Sequence, residues 1–241
     1  MKTSIVLWLV FVLASGGHVS AQVTSGKVVY ERKTNLYKKF SEEAWVQDYV
    51  KEIDKIKVDV FELYFNDSQS VFHPQESDLK ENFSWMTEKN TVYQDFNKRT
   101  RYTLKSLWGD QIPITDTLYR RSWKITDSKR TICGYSCRKA IWQPNDSTRI
   151  YAWYCDEIIA SMGPESFYGL PGMILGLATE DGGVIYFAKS VDVIKPEATL
   201  FIPEKTKSKV YAPAELRTEL ERNYGKEKWG KAMIKNFFGY W

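Results

Sequence analysis

Apolar positions along this chain recur mainly with strand spacing. Val58, Val60 and Glu62 alternate with Phe61, Leu63 and Phe65, Asn66-Asp67-Ser68 supplies turn chemistry, and Gln69 to Phe72 reads as the returning strand. Gly26 to Glu31 predicts an earlier strand, and Thr91 to Phe96 and Thr100 to Trp108 predict two later ones. The densest β signal runs from Tyr119 to Tyr154. It holds Trp123-Lys124-Ile125, then Thr131 to Trp142, a turn over Pro144 to Ser147, and Arg149 to Tyr154. Met173 to Leu177 and Val184 to Val193 form a further pair about Asp181-Gly182-Gly183. Gln75 to Asn90 is polar and broken, which predicts a loop, and Gly109-Asp110 and Pro113 read as punctuation.

Helical spacing appears twice. Ser41 is placed to cap a helix whose Trp45, Tyr49, Ile53 and Ile56 share one side. Ala214 to Tyr224 follows Pro213, with Leu216 and Leu220 four residues apart. Many short strands with helices near the ends predict a mainly β fold with flanking helices. The expected form is one curved antiparallel sheet, a half-barrel or open barrel, with a β-sandwich as the alternative.

The first residues follow a different pattern. Lys2 precedes an apolar run from Ile5 to Ala14, Gly16-Gly17 break it, and Val19-Ser20-Ala21 supplies small residues for cleavage. This predicts a signal peptide over 1–21 and a single β-rich domain over 22–241, ending in a helical segment from about 212 to 241. The run is too short for a bilayer, which takes about 20 residues, and no later stretch is long and apolar enough. The expected location is the periplasm or the exterior.

Removing Lys2 takes the formal charge from +4 to +3. That is too little to suggest nucleic acid, and cations and acids are interleaved, as in Lys51-Glu52-Ile53-Asp54-Lys55. No nucleotide, P-loop, nucleophile-elbow or EF-hand motif is present, and no cofactor is expected. Beyond the signal peptide His73 is the sole histidine, beside Pro74 at a strand end. That argues against Ser-His-Asp or Cys-His catalysis and against a multi-imidazole zinc site. Asp156-Glu157 follow a strand, where adjacent side chains point to opposite faces. No catalytic residues are assigned.

The cysteines are Cys133, Cys137 and Cys155. A hairpin turning on Asn145-Asp146-Ser147 sets opposite one another residues whose numbers total 292, Cys137 and Cys155 among them. Facing Cβ atoms about 4.5–5.5 Å apart come within reach of a bond after local adjustment. A Cys137–Cys155 disulfide is therefore expected in an oxidising compartment. Cys133 and Cys137 lie roughly 13 Å apart if one strand carries both. The alternative is a soft-metal, copper-type site on Cys133, Cys137 and Cys155, which needs a bend at Gly134.

Leu170-Pro171-Gly172-Met173 has Pro and Gly where a type II turn wants them, leading into a buried strand. Beside it, Phe167, Tyr168, Gly169, Leu170, Pro171 and Gly172 form the candidate ligand or partner site, through exposed backbone and flanking aromatics.

Several segments together resemble the GLPGLI family, small secreted proteins of Bacteroidota-type bacteria. They are Leu63-Tyr64-Phe65-Asn66 with Ser70-Val71-Phe72, Trp123-Lys124-Ile125-Thr126, Gly134 to Ala140, Ala152-Trp153-Tyr154, and Gly163-Pro164 leading to Gly169-Leu170-Pro171-Gly172-Met173-Ile174-Leu175. Met173 stands where the family usually has Leu, and Cys137 belongs to its pattern whereas Cys133 and Cys155 do not. The resemblance implies export and a gene setting near TonB-dependent outer-membrane transporters; it supplies no activity. The expected function is a non-enzymatic envelope protein that holds an apolar ligand or a protein partner, in support of outer-membrane uptake. Metal handling through the cysteines and a carboxylate-based enzyme are the alternatives.

Overall fold

A computed structural model of the chain describes residues 22–41, 43–76 and 82–240. The expected signal peptide, 1–21, lies outside the described residues.

Eleven strands form one sheet in the order β6-β5-β4-β3-β2-β1-β11-β10-β9-β8-β7, and every neighbouring pair is antiparallel. One meander comprises β1 (Gly26–Asn35), β2 (Ile56–Phe65), β3 (Gln69–Pro74), β4 (Thr91–Asp95), β5 (Thr100–Leu107) and β6 (Asp110–Thr117). The other comprises β7 (Lys124–Ile132), β8 (Tyr135–Asn145), β9 (Thr148–Cys155), β10 (Met173–Thr179) and β11 (Val184–Asp192). They join where β1 pairs with β11. This is the mainly β architecture expected, a sheet not closed into a barrel.

Counting directions along this order, β6 and β7, the two edges, run the same way. Residues 118–123 must therefore carry the chain back from the end of β6 to the start of β7. Six residues reach little more than about 20 Å even fully extended. Such a short return confines the two edges to the same neighbourhood, so the sheet has to curl.

The helices among the described residues are short: α1 (Leu36–Lys39), α2 (Ala44–Tyr49), α3 (Pro213–Tyr224) and α4 (Lys228–Phe237). Leu216, Leu220, Ile234 and Phe237 pack with Ile114 of β6 into a satellite core. The helical C-terminal segment thus docks on the sheet.

Three expectations are corrected. The predicted stripe of Trp45, Tyr49, Ile53 and Ile56 is exposed, and Val46 and Val50 are buried instead. One long helix is replaced by α2 and a 3-10 turn at Glu52–Asp54, because Val50 is already extended. Pro113 sits inside a strand, not at a break. Its missing N–H lies on the side where Thr115 N donates outward to Tyr211 O (2.9 Å), away from β5. An edge strand is where the sheet tolerates Pro. The predicted strand Thr131 to Trp142 is two strands, since Cys133 (φ 51°) and Gly134 (φ 84°) form the two-residue turn between β7 and β8. Two consecutive positive φ values are what such tight hairpins require.

Candidate functional site

The inward rows of β1 and β2 change character along their length. On β1 Val28 and Tyr30 give way to buried Arg32 and Thr34; on β2 Phe65, Leu63 and Phe61 give way to buried Asp59 and Lys57. Strand alternation places these residues on one face, so one end of the core is apolar and the other ionic.

Arg32 organises the ionic end. Its Nη2 donates to Asp59 Oδ2 (2.8 Å) and Glu88 O (2.7 Å), and its Nη1 to Tyr186 Oη (3.4 Å). The Tyr186 hydroxyl donates on to Glu165 Oε1 (2.8 Å), which lies 3.9 Å from Arg32 Nη1. The guanidinium also covers the Phe61 ring at 4.6 Å. Lys57 Nζ stands 3.3 Å from Asp59 Oδ1, and Lys39 Nζ is 2.5 Å from Glu88 Oε2. Burial works against the Arg32 charge, but Tyr186, Asp59 and Glu165 outweigh it and hold the guanidinium protonated. Burial likewise disfavours the Asp59 carboxylate, yet Arg32 and Lys57 bring its pKa below the usual range. At Glu165 burial wins over Arg32 and Tyr186, and the pKa is raised. Arg32 Nε is buried and has no hydrogen-bond partner.

Two cavities flank this network. A cavity of about 560 Å³ is lined by Arg32, Lys39, Glu88, Asp181, Phe238 and Tyr240, among others. A smaller one of about 140 Å³ touches Asn90, Arg101, Lys105, Glu165, Ser166 and Phe237. Phe238, Gly239 and Tyr240 line both, so the C-terminal tail divides them. Tyr240 is held edge-on against Trp142 (5.2 Å) and accepts from Asn145 Nδ2 (3.1 Å).

The candidate site read from sequence lies deeper than expected. Phe167, Leu170 and Gly172 are buried and Tyr168 nearly so, leaving Gly169 and Pro171 exposed. The segment instead braces the interior. Phe167 packs against Trp142 (5.9 Å) and Trp123 (6.4 Å), Tyr168 O accepts from Trp123 Nε1 (3.0 Å), and Gly169 N donates to Ser161 Oγ (3.0 Å). Glu165 adopts φ 54°, a region non-glycine residues seldom occupy, and this turn aims its carboxyl into the ionic end. The type II turn is corrected. Gly172 N donates to Leu170 O (2.8 Å), a three-residue turn, and Met173 N donates to Ile158 O (2.9 Å). Gly172 is required there by close approach, since a Cβ would lie 1.9 Å from Cys155 O.

The hairpin register is as reasoned: Arg138↔Tyr154 through Trp142↔Ile150 all total 292, and Cys137 and Cys155 lie one residue beyond the Arg138↔Tyr154 pair. Both are buried and all three cysteines are free thiols in this structure, so the expected bond is not formed. Burial pushes the Cys137 thiol up to about 12, with Cys155 adding to it. Cys133 is turned away, its thiol donating to Ala188 O (3.1 Å). Among the described residues no three His, Cys, Asp or Glu side chains are grouped to hold a metal. Asp156 and Glu157 are exposed at the end of β9. His73 stacks on Tyr64 (5.8 Å) and contacts Pro74 O (2.9 Å).

A family model described as a protein of unknown function (Porph_ging), typical of Bacteroidota, matches residues 142–176. That span covers β9, the bracing segment and the start of β10. No curated protein matches the chain. Among solved structures, PNGF-II in the C2 and P21 space groups is similar with a TM-score of 0.52 at 15% identity in both cases. The match covers 78% of this chain but 31% of PNGF-II, so this chain spans under a third of that protein. An uncharacterized conserved protein from Thermus thermophilus matches at a TM-score of 0.43 and 5% identity, over 79% of this chain and 91% of that one. The likeness to PNGF-II concerns the fold alone.

Proposed function

We propose that this chain is an exported, non-enzymatic binding protein, a member of the GLPGLI family that holds a small ligand inside its curved sheet. The reading rests on the cavity of about 560 Å³ between the Arg32 network and the C-terminal tail. Its size falls in the usual range for small-molecule sites, roughly 300–1,000 Å³. Its walls set Phe238, Tyr240 and Val184 against Arg32, Asn145, Thr179 and Asp181. That mixture suits an amphipathic molecule better than a purely apolar one. The family reading is supported by Gly169 to Leu175, which lie within the matched span.

Native mass spectrometry of protein purified from its own periplasm tests the proposal. A bound small molecule is expected, and it should be absent from Thr148→Trp, which fills the cavity, when that variant melts with the wild type. Recovery of ligand-free wild-type protein, or of the same ligand from Thr148→Trp, overturns the reading.

A further inference from the structure

The chain leaves β6 through Leu118-Tyr119-Arg120-Arg121. Leu118 N donates to Arg99 O (3.0 Å), which fixes this departure beside the β4–β5 turn. Arg99 stands in that turn at φ 56°, and Arg101 follows on β5 opposite Asp116. The charges of Arg121, Arg99, Arg120 and Arg101 all reach the Tyr168 phenol, where they oppose the larger effect of burial. One carboxylate pairs with this group: Asp116 Oδ2 lies 2.8 Å from Arg101 Nη2. Among the described residues Arg99, Arg120 and Arg121 form no ion pair.

Arg121 is the member hardest to explain as packing. Its guanidinium covers the rings of Phe167 (4.1 Å) and Trp142 (5.0 Å) and donates to Ser166 O (2.8 Å) and Ser166 Oγ (3.1 Å). Its Nε is buried with no partner. Burial first, and then the Arg101 charge, bring its pKa down to about 10. A largely buried cation without a counter-charge is costly, yet Arg99 and Arg120 add further positive charge at the exposed rim.

We infer that Arg99, Arg101, Arg120 and Arg121 with Tyr168 bind a multiply charged oxyanion of the phosphate or sulfate class. Guanidinium forks match such oxygens geometrically. Three unpaired cations call for more than one negative charge, which a monocarboxylate does not carry. The site is distinct from the cavity of the Proposed function and stands without it. Its anion arrives either free or as a lipid headgroup, and the chemistry is shared.

Titration calorimetry of the mature chain with inorganic pyrophosphate at low salt, and flotation with vesicles of phosphatidylglycerol in phosphatidylcholine, test the inference. Saturable binding that weakens with salt is expected in at least one arm. Pyrophosphate binding marks a free anion, and vesicle binding alone marks a headgroup. Arg99→Gln/Arg120→Gln should weaken binding at least tenfold at unchanged Tm, because both side chains are exposed. Lys205→Gln/Lys207→Gln, equally exposed, should leave it unchanged. No binding in either arm, or equal loss in both double variants, overturns the site.

Discussion

The two ends of the interior are built from the same strands and obey opposite rules. At the apolar end Val28, Leu63 and Phe65 are held by contact alone, and any residue of similar shape serves. At the ionic end Arg32, Asp59 and Glu165 are equally buried, but each depends on the identity of its neighbour. An ion pair removed from water recovers little more than its own desolvation cost. Fold stability therefore does not require the ionic end, which lines the cavity on which the proposed binding role rests.

The largest break in this comparison is Asp59→Ala, which strands the Arg32 charge. It should cost about 3–5 kcal/mol in urea unfolding. Arg32→Met/Asp59→Leu removes both charges and should return most of that loss while abolishing ligand retention. Failure of the double variant to recover would make the ionic end structural.

At the apolar end Leu63→Ala should cost about 3 kcal/mol by the lost packing and the void it leaves. The loss should be the same at pH 5 and pH 8, since no charge is involved.

The ionic end should respond to pH in two directions. The Asp59 pKa is lowered in the fold, so its contribution is present above the unfolded carboxyl pKa and fades as pH falls through the folded one. The Glu165 pKa is raised, so its contribution is present at acid pH and is lost as pH rises through the folded value. Glu165→Gln cannot ionise. Its stability relative to wild type should rise from roughly pH 4, near the unfolded carboxyl pKa, to pH 8. A flat difference across that range would show that Glu165 is not held against ionisation.

The smallest effect belongs to the brace between the ends. Trp123→Phe loses the bond to Tyr168 O and should cost about 1 kcal/mol. It should leave the pH response of the ionic end intact.

The apolar end was legible in the sequence and the ionic end was not. Strand spacing located most of the strands in outline, and the hairpin register through Trp142 and Ile150 followed from turn position alone. β6 escaped because Pro113 reads as a breaker unless the strand is known to be an edge, and edges are set by tertiary arrangement. The helix stripe at Trp45 failed because a 3.6-residue period does not say which side meets the core. Lys57 and Asp59 carry charges that composition assigns to solvent, though their parity with Phe61 and Leu63 puts them on the inner row. Glu165 carried a weaker signal still, because a left-handed turn at a glutamate has no pattern in composition or period.

The placement of β1 has a consequence for how the molecule is assembled. Its partners are β2, nearby in sequence, and β11, which enters through contacts such as Lys27↔Asp192. While the chain is being delivered, β2 to β6 have everything needed to line up on β1, whose opposite side stays unpaired until β11, the last of the strands, arrives. Pairings across such spans form slowly. An open, hydrogen-bond-hungry flank would thus persist through most of synthesis, exposed to pairing with other chains until β11 closes it.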